Sequence, residues 1–491
     1  MSNTTQKHLV KATGIIGGAQ FVSIVIGIVR TKIIAILLGP AGIGITGMLQ
    51  SIIDLVRNAT GFGLNYSAVK DIAQADVSKD DTKINTIITV LQNLVLWTGL
   101  LGMVLTIVFA KSLSLFTFGT SEYTMSVVYL SITLLLTSIS GGQIALLQGK
   151  REIKLMAKAT MFGALYSAMS SIVVYYFYGV KGIVPSLILT SIITLLFSWY
   201  YARKIKYKRQ KISVKHTILD GLGMAKLGFF IVITGFMATL TLYMIRVFIS
   251  SKLNIDSVGY FQASWMISNM YIGIILNAML SDFFPRLSAI NFDEEASNEL
   301  INHQLEIALV LGAPMILGLM ALASLVINVL YSSSFFSAIP ILQWQLFGSF
   351  ITLILWPLGV LFLAKNRGEF CIITDGIWSI LYLGIIYFGW DYFGFSILGI
   401  GYFLALFVKL FIVYYSTRKI GNFTFSTLNL KYIIFFGLLS SFMMLNVSYF
   451  ESYLQYFISF SIILVAAIVS FLKLNALFNL NKLLKLNSKN E

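Results

Sequence analysis

The residues with the most chemistry to offer in this chain are cations set inside apolar runs. Arg30 and Lys32 lie well inside the first run, and Arg246 holds the matching place in the seventh. About nine residues, roughly 13 Å of helix, separate Arg30 from the end of its run. Ionisable groups at such depth are costly and tend to face protein or a water-filled interior. Arg246 has two readings. Its side chain snorkels to the outer interface, or it is the counterpart of Arg30, each projecting from its own half of the chain toward a shared cavity. Two facing cations need an anion between them, and a lipid pyrophosphate meets that need electrostatically. Asp54 and Arg57, three apart and so on one helix face, make either a structural ion pair or a gating or proton-linked pair. Asn58 and Asn65 in the second run, with Gln262, Asn269 and Asn277 in the eighth, suit hydrogen bonds between helices or a polar wall for sugar hydroxyls. Trp344 and Gln345, beside Gln343, stand early in a later run.

The elements that hold these groups follow from composition. Of 491 residues, 57% are hydrophobic and 11% charged, and the mean hydropathy is +0.85. In water such a chain would expose far too much apolar surface, so lipid is its solvent. Stretches long enough to cross a bilayer, about 18 residues or more, fall near 12–38, 42–66, 84–109, 124–147, 155–178, 180–201, 221–249, 258–284, 304–330, 340–364, 370–389, 394–415, 432–449 and 454–472. The first ends in Gly39-Pro40 without a small-residue cleavage pattern and reads as a true span. The net charge of +15 does not point to nucleic acid, because the basic residues sit in short loops between the runs. They also alternate. One side carries Lys70, Lys150, Arg151, the block from Arg203 to Lys215, Lys365, Arg367, Arg418 and Lys419, whereas the other holds only Lys111, Lys181 and Lys252. Basic loops stay in the cytoplasm during insertion, so both termini are expected there. The acidic stretch 285–303 is expected to form a short cytoplasmic helix.

The chain is also internally repeated. Tyr200-Tyr201-Ala202-Arg203-Lys204-Ile205 returns as Tyr414-Tyr415-Ser416-Thr417-Arg418-Lys419-Ile420. Nearly the same offset relates Arg30 to Arg246, Gly44 to Gly259, Lys70 to Arg286, Lys150 to Lys365 and Arg151 to Arg367. Duplicated bundles place a substrate path between their halves. The expected architecture is an all-α polytopic membrane protein: two pseudo-symmetric six-helix lobes around a central cavity, plus two C-terminal helices, about 14 transmembrane helices in all. Residues 1–201 form the first lobe, 202–220 a basic cytoplasmic linker, 221–420 the second lobe, and 421–491 two further spans with a basic cytoplasmic tail.

Several chemistries find no support. There is no phosphate-cradling GxxxxGK[ST], since Gly149-Lys150 is followed by arginine. His8, His216 and His303 are not clustered, so no metal site is expected, and Cys371 is the lone cysteine. No carboxylate pair stands on an external loop where a membrane glycosyltransferase would need one. The reading is therefore not an enzyme and requires no cofactor.

An ordered set of short segments carries a family resemblance. Leu38-Gly39-Pro40-Ala41-Gly42-Ile43-Gly44, then Gly61-Phe62-Gly63-Leu64-Asn65 with Lys70 and Ala73, resembles the opening of Wzx-type O-antigen and enterobacterial common antigen translocases. Val258-Gly259-Tyr260-Phe261-Gln262 after Arg246, then Pro285-Arg286-Leu287, is similar to the start of their second lobe, and Trp344-Gln345-Leu346 with Gly348 to their tenth span. The match runs over roughly residues 10–420. It implies the fold of the multidrug/oligosaccharidyl-lipid/polysaccharide exporter (MOP) superfamily and flipping of an undecaprenyl-pyrophosphate-linked oligosaccharide from the inner to the outer leaflet of the bacterial cytoplasmic membrane. It also implies a polysaccharide polymerase and chain-length machinery as partners, with Arg30, Lys32 and Arg246 as the cations that meet pyrophosphate or anionic sugar. The extra C-terminal pair is similar to that of the fourteen-span lipid II flippases of the same superfamily. A drug exporter of this superfamily and a membrane-embedded glycan polymerase or ligase are the competing readings. The first calls for buried carboxylates in an enclosed cavity, the second for a sizeable external loop with catalytic residues.

Overall fold

The computed structural model describes residues 3–78, 81–449 and 453–478, with the side chains of 3–17, 19–21, 65, 66, 77, 78, 214–216, 218–228, 278, 281, 449, 477 and 478 outside the described set. Among the described residues every regular element is helical. That is what lipid dictates, since a helix satisfies its backbone groups within one segment. Helix α1 (Asn3–Thr60) is two spans joined at Gly39, whose φ of 63° and ψ of −171° interrupt the helix. Glycine alone adopts that conformation readily. Pro40 then opens the next helix, where its missing N–H costs nothing. There follow α2 (Leu64–Ser78), α3 (Asp81–Val108), a short α4 (Ala110–Phe118), α5 (Thr124–Gly149), α6 (Ile153–Tyr178), α7 (Ile183–Ala202) and α8 (Val214–Lys252). Then come α9 (Ile255–Ala289), α10 (Glu294–Ala321), a short α11 (Ala323–Leu330), α12 (Ile339–Ala364), α13 (Glu369–Phe393), α14 (Ile397–Gly421), α15 (Thr427–Tyr449) and α16 (Tyr453–Phe478).

The fourteen stretches expected to cross the membrane are mainly helical, the second broken at residues 61–63 and the ninth at Leu322, making a multi-pass membrane protein. Three continuous apolar runs hold two spans each, turning at Gly39, at the 3-10 turn Gly179–Gly182 and at the turn Gly394–Ser396. The internal repeat is legible in the backbone. Each copy ends one span in a left-handed residue, Arg151 (φ 56°) or Asn366 (φ 55°), so Arg151 matches Asn366 rather than Arg367, and another in Gly179 (φ 52°) or Gly394 (φ 53°). The hydrogen bonds match too. Arg151 N–H donates to the Gln148 carbonyl and Glu152 N–H to Leu147, as Asn366 does to Leu363 and Arg367 to Phe362. This is a left-handed C-terminal cap that satisfies carbonyls the helix would leave orphaned.

The chain divides into two units: Met1–Gly259 with Leu330–Ser334, and Tyr260–Val329 with Phe335–Glu491. In the first, α8 packs on α1, α2, α3 and α4. Helix α2, which apolar length did not reveal, is a short amphipathic helix. Its Ala68, Ile72 and Ala75 share one face and pack on Ile84, Ile88, Leu91 and Val95 of α3 and on Ala145 and Leu146 of α5. The basic connection is laid against α3 over residues 205–212. Lys208 N–H donates to Asn85 Oδ1 (3.0 Å) and Gln210 N–H to Thr89 Oγ1 (3.2 Å), while Thr86 donates to Gln210 Oε1 (2.7 Å). Ile205 and Tyr207 join the α2–α3–α5 core, and Ile212 packs on Leu64, Val90 and Leu94.

In the second unit the expected cytoplasmic helix at 285–303 does not exist as a separate element. Helix α9 runs to Ala289 and α10 starts at Glu294, leaving Ile290–Asp293 as the loop. The acidic residues begin the span instead. Asp293 caps α10 by accepting from Ala296 N–H (3.0 Å), and Glu294 and Glu295 fill its first turn, where the helix dipole favours negative charge. One face of α10, repeating every four residues, then holds the C-terminal pair. Asn298 bonds Thr424, Asn302 bonds Thr424, Ser426 and Asn429, and Glu306 meets Lys473 of α16 at 2.6 Å.

Candidate functional site

The second half of α1 places Gly47, Gln50, Ser51, Asp54 and Asn58 on one face by their three- and four-residue spacing. Helix α8 packs along it and contributes Thr239 and Arg246, seven apart and so on one face as well. Arg246 is buried, with 9% of its surface exposed. Its Nη1 donates to Ser51 Oγ at 2.7 Å, and that hydroxyl donates onward to the Gly47 carbonyl at 2.6 Å. Asp54 Oδ1 accepts from Arg57 Nη2 at 2.7 Å and from Gln50 Nε2 at 3.2 Å, and its charge also reaches Arg246. One turn on, Asn58 Nδ2 donates to Thr239 Oγ1 at 2.7 Å. The result is a polar seam between two apolar helices in which two guanidinium groups share one carboxylate. Arg246 is the buried member and Arg57 the exposed one, and their planar nitrogen forks match the oxygens of a phosphate or carboxylate.

Arg57 and Asn58 also line a cavity of about 320 Å³ walled by α1, α3, α5 and α8, which Thr98, Thr137 and Ser138 make partly polar. At the far end of α8, Tyr243 shares a hydrogen bond with Thr117 of α4 (2.6 Å). Ser51, Gln50, Thr239 and Tyr243 were not singled out by sequence reasoning. The first two were within its reach, standing three and four residues before Asp54, a position already marked.

Arg30 has different surroundings. Its half-buried side chain lies by Tyr175 of α6, itself 2% exposed, with Thr46 and Ser186 beside the phenol. The buried Arg30 Nε has no hydrogen-bond partner among the described residues, an orphan donor of the kind that carries a cost until something accepts from it. Lys32, two residues on, is half-buried and leaves the helix on the opposite side. The Asn65 side chain lies outside the described residues. Gln262 and Asn269 belong to the second unit, Gln262 half-buried and Asn269 exposed with its amide on the Trp265 carbonyl (3.0 Å). That unit also holds the pair Lys409–Asp375 (2.5 Å) and the buried Gln345, which accepts from Ser268 at 3.4 Å. Among the described residues no group of His, Cys, Asp and Glu is arranged to hold a metal.

Comparison with known proteins places the chain and its fold. The family described as polysaccharide biosynthesis protein matches residues 33–340. The lipid III flippase of Escherichia coli strain K12 is 23% identical over 374 residues, covering 75% of this chain and 88% of its own, and that of Shigella flexneri aligns equally. Among solved structures, the lipid II flippase MurJ in an inward closed conformation superposes with a TM-score of 0.69 at 16% identity, covering 94% of this chain and 99% of its own. An inward-facing multidrug resistance MATE transporter of the MOP superfamily gives 0.67 at 16% identity, over 81% and 95%. These relatives are flippases and transporters, not enzymes. The chain therefore belongs to the polysaccharide biosynthesis protein family and has the fold of the MOP-superfamily transporters.

Proposed function

We propose that this protein is a flippase that carries an undecaprenyl-pyrophosphate-linked oligosaccharide, an O-antigen unit or a similar surface-polysaccharide repeat, from the inner to the outer leaflet of the bacterial cytoplasmic membrane. The observation that carries the reading is the pair of arginines set deep in the first unit: Arg246 buried against Ser51, and Arg30 with an orphan Nε. A pyrophosphate supplies an acceptor for the Arg30 Nε and negative charge that complements both guanidinium groups. The lipid III flippases supply support from sequence, because a lipid III by its name is also a lipid-linked substrate. Alternating access moves the head group while the polyprenyl tail stays in lipid. The charge of the basic loops supports a cytoplasmic position for both termini, with the product passing to a polymerase on the far side. An exporter of soluble drugs has the fold in its favour, but the charges of the α1–α8 seam lean cationic.

The test neutralises the cations. Arg30→Gln with Arg246→Gln is expected to abolish flipping while the protein accumulates normally in the membrane. Lipid-linked oligosaccharide quantified by leaflet then builds up on the cytoplasmic face and surface polysaccharide is lost. Full transport by the double variant refutes the cation reading.

A further inference from the structure

The basic connection after α7 does more than join helices. From Arg203 to Lys211 it carries six cations in nine residues, and its hydrogen bonds to α3 hold it against the bundle rather than free in water. Between it and the helices lies a cavity of about 370 Å³. Its mouth is polar and cationic, formed by Arg203, Arg209, Gln92 and Tyr207, with the last two hydrogen-bonded to each other. Its floor is apolar, formed by α3 and α5, and includes the exposed Leu96. No carboxylate stands among the described residues that line it. Arg203 is held at the mouth by stacking on Trp199 and Tyr200, 4.8 and 4.9 Å from their ring centres, and Arg209 by its contact with Asn93 at 3.3 Å.

We infer that this cleft binds an anionic glycerophospholipid of the surrounding leaflet, the phosphate between Arg203 and Arg209 and the start of an acyl chain along Val95 and Leu96. The chemistry is complementary at both ends. Two guanidinium forks suit one phosphate diester, aromatic rings mark the headgroup level, and the apolar floor suits methylenes. A basic segment beside a membrane already concentrates anionic lipid, and the cleft turns that attraction into a site. The bound lipid ties the connection to α3 just before the chain enters α8. The inference does not rest on the identity of the transported substrate.

The test uses the full chain in phosphatidylcholine nanodiscs titrated with phosphatidylglycerol, with bound lipid counted by native mass spectrometry. Arg203→Gln with Arg209→Gln is expected to weaken phosphatidylglycerol binding about tenfold, the loss of one or two charged hydrogen bonds. Lys206→Gln with Lys208→Gln removes the same charge outside the cleft and is expected to change little. If the arginine pair perturbs folding, Arg203→Lys with Arg209→Lys keeps the charge without the fork and is expected to fall between. Equal losses from the arginine and lysine pairs leave only diffuse attraction and overturn the site, as does no loss from either. Displacement by equimolar undecaprenyl pyrophosphate overturns the choice of occupant.

Discussion

A close backbone approach in the first unit offers the sharpest prediction. Gly44, early in the second span, meets the start of α9. A Cβ built there lies 2.2 Å from the Ile255 carbonyl oxygen and 3.1 Å from the Gly259 nitrogen. Reciprocally, a Cβ on Gly259 lies 2.1 Å from the Pro40 carbonyl oxygen and 2.8 Å from its carbon. Close carbon–oxygen contacts settle near 3.3–3.6 Å, so each alanine overlaps by more than about 1 Å. The obstructing atoms are backbone, and no rotamer can clear them; the crossing itself must open. Overpacking of this kind costs about 3 kcal/mol, the upper end of its usual range. Both methyls press on the same crossing, so separation forced by one makes room for the other. Gly44→Ala and Gly259→Ala together are therefore expected to cost about 1–2 kcal/mol less than their sum. Equilibrium unfolding of purified protein in mixed micelles reads all three. Gly27, with nothing within 4 Å of an added Cβ, is the control, and alanine there gains up to about 1 kcal/mol from helix propensity. Single variants as stable as the parent, or strictly additive losses, refute the argument that these glycines exist for the crossing.

Three further outcomes test the packing. Lys473→Ala strands the buried Glu306 carboxylate and is expected to cost about 2 kcal/mol, less than a sealed pair because Lys473 keeps 24% side-chain exposure; Glu306→Gln in the same chain should restore most of it, and failure of that rescue in unfolding measurements rejects the pair as the cause. Asn302→Ala removes the acceptor for Ser426 N–H (2.8 Å) and the donor to the Thr424 carbonyl (2.9 Å), an expected loss of about 2–3 kcal/mol. Its signature is faster hydrogen exchange in α15, and unchanged exchange there rules out the α10 face as the anchor. Burial raises the Asp71 carboxyl on α2 above its ordinary range, against the pull of Lys70 and Lys83. A proton held more tightly in the folded state means the ionised group opposes folding above that range and ceases to as pH falls through the folded value. Asp71→Asn should accordingly raise the melting temperature at neutral pH, with the gain shrinking in acid, and a gain independent of pH contradicts this.

Much of the fold was legible because lipid leaves so little choice. Runs of apolar residues had to be helices, and Gly39-Pro40 ended the first where backbone geometry requires. Helix α2 escaped because fifteen residues are too few to cross a bilayer. Its signal is the four- and three-residue spacing of Ala68, Ile72 and Ala75, which a search for length passes over. The connection after α7 was judged by its charges, yet its apolar residues, Ile205, Tyr207 and Ile212, are what seat it. The acidic stretch misled for the same reason: charge set it apart as a separate cytoplasmic helix, whereas those residues cap and open the span α10.

The site was legible in its members more than in its contacts, and the repeat shows why. Left-handed turns recur at the duplicated positions, Arg151 with Asn366 and Gly179 with Gly394, because a backbone conformation is set within a few residues and survives divergence of the rest. A side chain's partner is chosen across the fold. Arg30 and Arg246 keep the duplicated position, but one lies by Tyr175 and the other donates to Ser51, and spacing along the chain carries no information about either neighbour. If the two arginines nonetheless serve one anion, single neutralisations should each abolish flipping and the double should add nothing. If they serve separate steps, each single variant should retain part of the rate and the losses should multiply. Leaflet-resolved substrate measured in the two single variants and the double decides between these.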